Sequence, residues 1–424
     1  MLTLDFILKN REIFEKSMNM RGVSYNFSKF ETLEAEKKAL ILKAQDLQEK
    51  RNKLAKEIGL KKSKNEDASD LLKETEYVKE NLPLFEENLR LKEAEILSIL
   101  LQLPNILAPE VPQGKNEDDN LEIKKVGEIP KFDFKPKEHF ELGQILKHKG
   151  FDMMDFETAI KISGSRFVIL HSKLSKLERG LVNFLLDMNS KRGYNETSVP
   201  FLVKPHAFVG TGQLPKFEGD FFKTTTDLFL IPTAEVSLTN IVRESLIPEK
   251  ELPIRLTAAT PCFRSEAGSA GKDTRGMIRQ HQFTKVELVS ICAPELSEKE
   301  HDYMLETAEL ILQSLELPYR VIMLCSGDIG ATAKKTYDIE VYLPGQGRYR
   351  EISSISNTGS FQSIRMNAKF KRAGTGKNEH LHTLNGSALA VGRLIVAILE
   401  NFQTIDGKIK MPKALNNYLD FDVI

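Results

Sequence analysis

The stretch from Thr260 to Glu287 is TPCFRSEAGSAGKDTRGMIRQHQFTKVE. Its first residues end an apolar run that extends from Ile254 to Phe263. A polar loop of Gly, Ser, Lys and Asp follows, and the chain then returns through Phe283. Two strand-like runs joined by a long polar loop predict an antiparallel β-hairpin. A purely structural hairpin with a solvated loop is the alternative interpretation at this point.

The base of this hairpin carries side chains that suit a nucleotide. Arg264 and Glu266 stand at the end of the first run, and Arg279, Phe283 and Glu287 lie on the return. A guanidinium group pairs with phosphate, an aromatic ring can stack on adenine, and a carboxylate can hold an amine. These residue types therefore favour a nucleotide-binding hairpin over a purely structural one.

Length and charge limit what else the chain can be. Its 424 residues are enough for two or three domains with a large core. The 60 Lys and Arg residues balance 60 Asp and Glu residues, so contact with nucleic acid must come from a local patch. Cys262, Cys292 and Cys325 lie far apart without a CxxC pair, which argues against a structural zinc and favours a reducing compartment.

No segment has the pattern of a secretion or membrane signal. The first residues include Asp5, Lys9 and Arg11, so they lack the apolar core of a signal peptide. The apolar runs at 97–107 and 386–402 are interrupted by polar residues and cannot span a bilayer. We therefore expect a soluble, cytoplasmic protein with no membrane partner.

The segment from about 29 to 103 has a different composition, rich in Lys, Glu and Leu with Gly59 as its only glycine. Two heptad helices with a polar break between Gly59 and Asp70 predict an antiparallel helical hairpin. Pro83 should kink the second helix or shift its register. A coil that only dimerises the chain is the alternative interpretation. The heptad positions are Leu33, Leu40, Leu47 and Leu54, then Leu82, Leu89, Ile96 and Leu103.

The turn end of this helical hairpin is strongly basic. Between residues 50 and 64 there are seven Lys or Arg residues and one carboxylate, Glu57. A solvated helix face is the simple interpretation, whereas such a concentration of charge favours a tip that contacts phosphate groups. The basic residues are Lys50, Arg51, Lys53, Lys56, Lys61, Lys62 and Lys64.

The rest of the chain has a mixed composition. Residues 104 to about 133 hold four prolines and many charges, which is typical of a linker. Beyond them, short β-branched and aromatic runs alternate with helical periodicity at 173–191, 298–316 and 387–401. This pattern predicts an α+β body with several antiparallel strands. No GxxxxGK[ST] loop is present and no GxGxxG follows a strand, which argues against the common nucleotide-binding folds.

Two short segments of this body place hydroxyl groups beside carboxylates. PTAEVSL (232–238) offers a hydroxyl and a carboxylate that could together hold an ammonium group. REISSISN (350–357) offers the oxygen ligands that suit Mg²⁺ on a triphosphate. The side chains concerned are Thr233 and Glu235 in the first segment, and Glu351, Ser353 and Ser354 in the second.

A third segment, NGSALAVGR (385–393), is rich in small residues. We expect it to start a helix that packs tightly against a sheet. Ser387 then lies near the beginning of the helix, and Arg393 lies two turns in and faces an anion. A glycine and an arginine on a helix surface are the plain alternative.

In this order, the segments resemble those of bacterial-type seryl-tRNA synthetases over essentially the whole chain. The resemblance implies a class II antiparallel sheet with flanking helices, a homodimer, and an N-terminal antiparallel two-helix coiled-coil arm that grips tRNA. We place a tRNA-binding domain at 1–108, with the arm at about 29–103, a linker at 109–133 and a class II catalytic domain at 134–424. The matching stretches include GTGQLPKF (210–217), PTAEV, FRSEAGSAGKDTRGMIRQHQFTKVE, TYDIEV (336–341), EISSISN and HTLNGSALAVGR (382–393).

Carried over residue by residue, the resemblance implies three groups of site residues. Catalytic roles fall to Arg264, Glu266 and Arg393. ATP contacts fall to Arg264, Ser265, Glu266, Arg279, Phe283, Glu351, Ile352, Ser353, Ser354 and Arg393, with Glu351 and Ser354 as the Mg²⁺ ligands. The serine pocket is formed by Thr233, Ala234, Glu235, Arg264, Glu287, Asn385 and Ser387.

The implied activity is that of a serine–tRNA ligase. It activates L-serine with ATP and Mg²⁺ to seryl-adenylate and transfers the seryl group to tRNA(Ser), and to tRNA(Sec) where the host has one. No zinc and no DNA partner are expected. A non-catalytic tRNA-binding paralogue of the same fold is the alternative, and it should have lost groups such as Arg264 or Arg393. One departure from the family pattern is FQSIR, where Ile364 replaces an arginine and Arg365 remains.

Overall fold

A computed structural model of the chain describes residues 1–216, 218–267 and 275–424. Phe217, which ends the GTGQLPKF segment, and residues 268–274 of the predicted hairpin loop lie outside the described residues. Backbone contacts divide the chain into two compact units. One is Leu2–Pro104, and the other is Asn105–Ile424 together with Met1.

The N-terminal unit consists of four helices, of which two are very long. They are α1 (Leu4–Lys9), α2 (Arg11–Met20), α3 (Phe27–Ser63) and α4 (Ser69–Gln102). Helices α3 and α4 contain 37 and 34 residues, and each is therefore about 50 Å long. They run in opposite directions, because Lys37 pairs with Glu93 whereas Lys50 pairs with Glu74. The predicted antiparallel two-helix arm is confirmed.

The heptad positions of α3 and α4 are buried or half-buried, with Leu33, Leu54 and Leu82 buried most completely. The break between the helices is shorter than expected, since α3 continues through Gly59. Helix α4 also continues through Pro83 without interruption. Packing along the length of α3 therefore outweighs the roughly 3 kcal/mol that a proline costs inside a helix.

The C-terminal unit is an α+β body, as predicted. Its helices are α5 (His139–Ile145), α6 (Phe156–Ser163), α7 (Ser172–Lys191), α8 (Pro205–Thr211), α9 (Glu235–Thr239), α10 (Ser297–Ser314), α11 (Phe361–Met366) and α12 (Val391–Asn401). Its strands up to the hairpin are β1 (Leu121–Val126), β2 (Lys147–His148), β3 (Phe151–Asp152), β4 (Met154–Asp155), β5 (Ile169–Leu170), β6 (Asn195–Glu196), β7 (Leu202–Val203), β8 (Phe229–Leu230) and β9 (Leu246–Pro248). The others are β10 (Ile254–Phe263), β11 (Gln282–Cys292), β12 (Tyr319–Met323), β13 (Lys335–Leu343), β14 (Arg348–Gly359), β15 (Lys369–Lys371), β16 (Asn378–His380) and β17 (His382–Ala390).

One eight-stranded sheet organises this body, in the order β1-β12-β13-β14-β17-β11-β10-β6. All its neighbours are antiparallel except β6, which runs parallel to β10 at one edge. A three-stranded sheet (β16-β15-β9) and three strand pairs (β2-β3, β4-β5, β7-β8) complete it. The predicted antiparallel sheet with flanking helices is therefore confirmed.

Helices α7, α10 and α12 cover one face of the large sheet, and alternation along the strands shows which side chains turn towards them. On β13, Ile339, Val341 and Leu343 are buried in the same apolar cluster as residues of these helices. Asp338 and Glu340, the residues on either side of Ile339, point to the other face, because successive side chains of a strand alternate. The polar face of the sheet is the face that carries the candidate site.

The segment NGSALAVGR is not a helix start, and this expectation was wrong. Residues up to Ala390 form β17, which pairs with β11 on one side and β14 on the other, and α12 begins only at Val391. A Cβ at Gly386 would lie 2.8 Å from Met304 Sδ, so the small residues allow α10 to pack on the strand. Arg393 consequently lies in the first turn of α12 rather than two turns in.

The region expected to be a linker contributes to the sheet. Strand β1, which lies within 109–133, pairs with β12 at the sheet edge. The boundaries placed at 108 and 133 stay predictions. Among the described residues, the helices include none that is both long enough and apolar enough to cross a membrane.

Candidate active site

The predicted hairpin is formed by β10 and β11. Strand β10 ends at Phe263, which faces Gln282, the first residue of β11. The Arg264 amide donates to the His281 carbonyl at 2.9 Å, so the two chains stay paired beyond the strand ends. Arg264 is thereby held beside Phe283, with its guanidinium carbon 5.3 Å from the ring centroid. The hairpin thus brings together a guanidinium group and an aromatic ring, the two groups predicted to contact phosphate and adenine.

Glu266 and Arg279 meet at the open end of the same hairpin. Arg279 Nη1 donates to Glu266 Oε2 at 3.2 Å. Glu266 has a φ of 52°, a left-handed conformation that is uncommon outside glycine, asparagine and aspartate. Strained backbone of this kind clusters at functional sites. The ion pair joins the two chain segments that flank residues 268–274.

A cleft of about 530 Å³ opens on this part of the sheet, and a cavity of about 110 Å³ adjoins it. The volume of the cleft lies within the range of roughly 300–1,000 Å³ that is usual for ligand sites. Residues that line both are Arg264, Glu266, Arg279, Lys285, Glu351 and Ser387. The other predicted residues are Thr233, Glu235, Glu287, Ser354 and Asn385 in the cleft, and Phe283, Ile352 and Arg393 in the adjoining cavity.

Two carboxylates of the cleft have different partners. Glu235 Oε1 accepts hydrogen bonds from Gln362 Nε2 at 2.7 Å and from Asn385 Nδ2 at 3.1 Å. Glu287 Oε2 forms an ion pair with Lys285 Nζ at 2.5 Å. Two carboxylates and one ammonium leave this group one negative charge in excess when both acids are ionised. Such a site attracts a cationic ligand.

The pKa of Glu235 lies near neutral pH. Burial and the neighbouring Glu287 raise the pKa of Glu235 to about 7. A bound ammonium group would favour the ionised form, because an opposite charge nearby stabilises a carboxylate. Lys285 Nζ also donates to Thr233 Oγ1 at 2.9 Å, which fixes this hydroxyl at the same end of the cleft.

A β-bulge places two oxygen-bearing side chains, Glu351 and Ser354, side by side on β14. The register against β13 shifts between Ile339 and Glu340, so Ile352 is an extra residue without a partner of its own. In a regular strand, Glu351 and Ser354 would point to opposite faces, because they are separated by an odd number of positions. The bulge turns both into the cleft.

Glu351 lies among cations. Arg393 Nη1 is 3.4 Å from Glu351 Oε1, and Arg393 Nε donates to the Ile278 carbonyl at 3.2 Å. Partial desolvation opposes the ionisation of this half-exposed carboxylate, but Arg393 and then the two arginines of the hairpin lower its pKa. Glu351 therefore carries its negative charge at neutral pH.

Three residues that the resemblance assigned to the site do not line either cavity with their side chains. Ser265 Oγ donates to the Gly219 carbonyl at 3.0 Å, and Ser353 Oγ donates to the Ser387 carbonyl at 2.6 Å. Ala234 is fully buried. Any contact of these residues with a ligand would involve their backbone.

Three residues that were not selected from the sequence lie in the site or directly behind it. Lys285 lines both cavities, and its signal was its position two residues before Glu287 on one strand face. Gln362 lies in the FQSIR segment. Asp338 of TYDIEV is buried opposite Ser354, and one of its carboxylate oxygens has no hydrogen-bond partner among the described residues. Burial and the nearby Glu351 charge raise the pKa of this aspartate.

Arg365, the arginine retained in FQSIR, has contacts inside the body. Its Nη1 donates to the carbonyls of Val209 and Leu214, at 3.4 and 3.2 Å. Its guanidinium carbon lies 4.8 Å from the Phe361 ring centroid. The retained arginine therefore ties α11 to the segment around α8.

In the arm, the seven basic residues lie along the last part of α3 and in the turn. Lys50 Nζ pairs with Glu74 at 2.7 Å, and Lys61 Nζ donates to the Asp67 carbonyl at 2.9 Å, so these two also stabilise the arm itself. The other five are exposed and give this end a positive surface. They are Arg51, Lys53, Lys56, Lys62 and Lys64.

Matches to sequence-family models identify the class of protein to which this fold belongs. Residues 217–402 match the tRNA synthetase class II core domain (G, H, P, S and T), and residues 1–107 match the seryl-tRNA synthetase N-terminal domain. The body is therefore that of a class II aminoacyl-tRNA synthetase.

Similar proteins of known name identify the family within this class. A serine–tRNA ligase from Hydrogenobaculum sp. is 50% identical over 427 residues, which cover 100% of both chains. Another, from Rhodospirillum centenum, is 50% identical over 97% of this chain and 96% of its own. The chain belongs to the seryl-tRNA synthetase family, the class II ligases that join serine to tRNA.

Solved structures agree with this assignment. A seryl-tRNA synthetase from Pyrococcus horikoshii, complexed with ATP, superimposes with a TM-score of 0.92 at 36% identity, over 100% of this chain and 99% of that one. A cytoplasmic serine–tRNA ligase from Naegleria fowleri, in complex with AMP, gives a TM-score of 0.86 at 27% identity, over 98% and 96% of the two chains.

Proposed function

We propose that this chain activates L-serine with ATP and transfers the seryl group to the 3′ end of tRNA(Ser), and of tRNA(Sec) where the host has one. The observation that carries the proposal is the polarity of the cleft. One part has an excess negative charge, with hydroxyl and amide groups. The adjoining part has an aromatic ring and Arg393, and Arg264 and Arg279 line both parts. Serine and ATP have the complementary groups.

In this proposal, the acidic part of the cleft binds serine. Glu235 receives the α-ammonium group, because its raised pKa lets it ionise when a cation arrives. Thr233, Glu287, Asn385 and Ser387 surround the rest of the amino acid. A pocket that hydrogen-bonds the serine hydroxyl leaves buried polar groups unpaired when alanine binds, so it discriminates strongly.

ATP binds across the adjoining cavity and the part of the cleft that shares its lining residues. Phe283 stacks on adenine, Arg264 holds the α-phosphate beside the serine carboxylate, and Arg393 holds the γ-phosphate. Glu266 and Arg279 contact the nucleotide between them. An oxygen of the serine carboxylate then attacks the α-phosphorus. As the new O–P bond forms, the bond from the α-phosphorus to the bridging oxygen breaks, and pyrophosphate leaves in line, which gives seryl-adenylate. This reaction needs positioning and charge neutralisation more than a protein nucleophile.

Glu351 and Ser354 are the residues that would hold Mg²⁺. They fit the ion because both offer oxygen atoms on one face of β14, and because Glu351 is ionised at neutral pH. The described residues contain no group of three or more His, Cys, Asp and Glu side chains arranged as a metal cluster. When bound, the ion neutralises part of the phosphate charge.

We further propose the domain plan placed from the sequence, with a tRNA-binding domain at 1–108 and a catalytic domain at 134–424. The basic end of the arm contacts tRNA, because RNA helices are recognised largely by shape and phosphate contacts. The enzyme works as a homodimer in the cytoplasm. A non-catalytic tRNA-binding paralogue is the less favoured alternative, since Arg264, Glu266, Glu351 and Arg393 all line the cavities.

Amino-acid-dependent ATP–pyrophosphate exchange tests the proposal directly. Serine should support exchange, and alanine should be rejected by about 10⁴ in kcat/KM, the scale for a pocket that hydrogen-bonds a substrate hydroxyl. Exchange with alanine within tenfold of serine would contradict the pocket assignment. The absence of exchange with every amino acid, in a protein that still binds tRNA(Ser), would favour the non-catalytic paralogue.

A further inference from the structure

Gln362, on α11, is fully buried and bonded through both ends of its amide. Its Nε2 donates to Glu235 Oε1 at 2.7 Å and to the Thr211 carbonyl at 3.1 Å. Its Oε1 accepts from Thr383 Oγ1 at 2.7 Å. The side chain therefore connects the end of α8, the start of α9 and strand β17.

The contacts behind Gln362 hold it in one orientation. The hydroxyls of Thr358 and Thr383 lie 2.7 Å apart, and Thr358 Oγ1 donates to the Thr383 carbonyl at 2.8 Å. Thr383 is also two residues from Asn385 on β17, the other amide that bonds Glu235 Oε1. Both amide bonds thus go to one oxygen, and Oε2 is the oxygen left for a ligand within the described part of the chain.

We propose that Gln362 is a positioning residue of the serine pocket, which fixes the Glu235 carboxylate so that its second oxygen receives the ammonium group of the amino acid. The inference rests on the proposed function, because it requires Glu235 to bind that ammonium group. Gln362 itself does not line the cleft, so it acts through Glu235.

The groups around Glu235 determine how the loss of Gln362 would change the pKa of this carboxylate. Burial and Glu287 raise the pKa of Glu235 to about 7, whereas the bond from Gln362 opposes this rise, followed by Lys285 and Arg264. Asn385 is the neutral donor from β17. A bond to the charged form favours that form. Without the Gln362 donor, the carboxylate should stay protonated to a higher pH.

The test is the pH dependence of the serine KM in Gln362→Met, a side chain of similar length without a donor. In the wild type, KM should fall as pH rises through about 7, where Glu235 ionises. In the variant, this midpoint should move up by about one pH unit, the scale of one lost bond to a charged group. At neutral pH the serine KM should then rise about fivefold, while KM for ATP stays within about twofold.

A purely structural role predicts a different pattern. It would raise the serine KM by the same factor at every pH, and this result would overturn the inference. Ser363→Ala is the matched control, because Ser363 is a buried neighbour of Gln362 on α11 whose hydroxyl donates to the Ser360 and Leu381 carbonyls. It should keep the wild-type midpoint. If Gln362→Met does not fold, Thr383→Val loosens Gln362 and should shift the midpoint in the same direction by less, and an unmoved midpoint there overturns the inference.

Glu235→Gln separates this inference from the proposed function. An unchanged serine KM in Glu235→Gln would contradict the assignment of the serine pocket itself. A raised and pH-independent KM in Glu235→Gln, with a wild-type profile in Gln362→Met, would remove only the role of Gln362.

Discussion

Replacing Glu235 by Gln should make the protein more stable while it weakens serine binding. The new side chain keeps the shape of the old one, and its oxygen can still accept the amide bonds from Gln362 and Asn385. What it loses is a negative charge that burial and Glu287 oppose. Binding sites often hold such charges at the expense of stability.

The size of the effect follows from the pKa. The pKa of Glu235 is about 7 in the folded protein and 4.5 ordinarily, a difference of about 2.5 units. At about 1.36 kcal/mol per unit, this difference corresponds to roughly 3 kcal/mol. Because the folded state holds the proton more tightly, the destabilisation is absent below about pH 4.5, grows as pH rises and is complete above about pH 7.

Thermal unfolding without ligands measures this difference. Glu235→Gln should raise the unfolding midpoint by several degrees at about pH 8, and by much less at about pH 5. Serine should stabilise the wild type by mass action and leave the variant nearly unchanged. Glu196→Gln, an exposed carboxylate on β6, is the control and should change neither value. An equal gain at both pH values, or a loss at pH 8, would refute the reasoning.

Two further predictions concern the arginines of the cleft and the basic end of the arm. Arg393→Ala should reduce serine-dependent pyrophosphate exchange by about 10² or more, the scale of one lost charge-stabilising donor, and near-normal exchange would contradict its role. Reversal of Arg51, Lys62 and Lys64 to Glu should leave exchange within a few-fold of normal but abolish most serylation of tRNA. The same reversal at Lys38, in the first third of α3 and away from the tip, should have little effect. Normal serylation by the triple variant would make the arm tip purely structural.

Elements with a strong local pattern could be predicted from the sequence. The expected helix at 173–191 is α7 (Ser172–Lys191), and the apolar run from Ile254 to Phe263 is β10 itself. The heptad spacing gave both arm helices. Apolar periodicity depends only on which face of an element is buried, so it is visible without knowledge of the partner.

The segment 385–393 shows where such reasoning fails. Small residues with moderate apolarity are compatible with both a helix and a buried strand. Strands β11 and β14 pair with this segment from both sides, and this pairing makes it a strand. Those partners are distant in sequence. Tertiary pairing therefore overrode local propensity, as it commonly does for short apolar runs.

By itself, the sequence determined the chemical inventory of the site, because motif residues such as Arg264, Glu287 and Glu351 are specified by their types and spacing. Only the tertiary structure decided how these groups act on one another. The Ile352 bulge, which turns Glu351 into the cleft, depends on the register between two strands. The bond from Gln362 to Glu235 joins residues 127 positions apart. Orientation and charge arise from such long-range contacts, and no local pattern contains them.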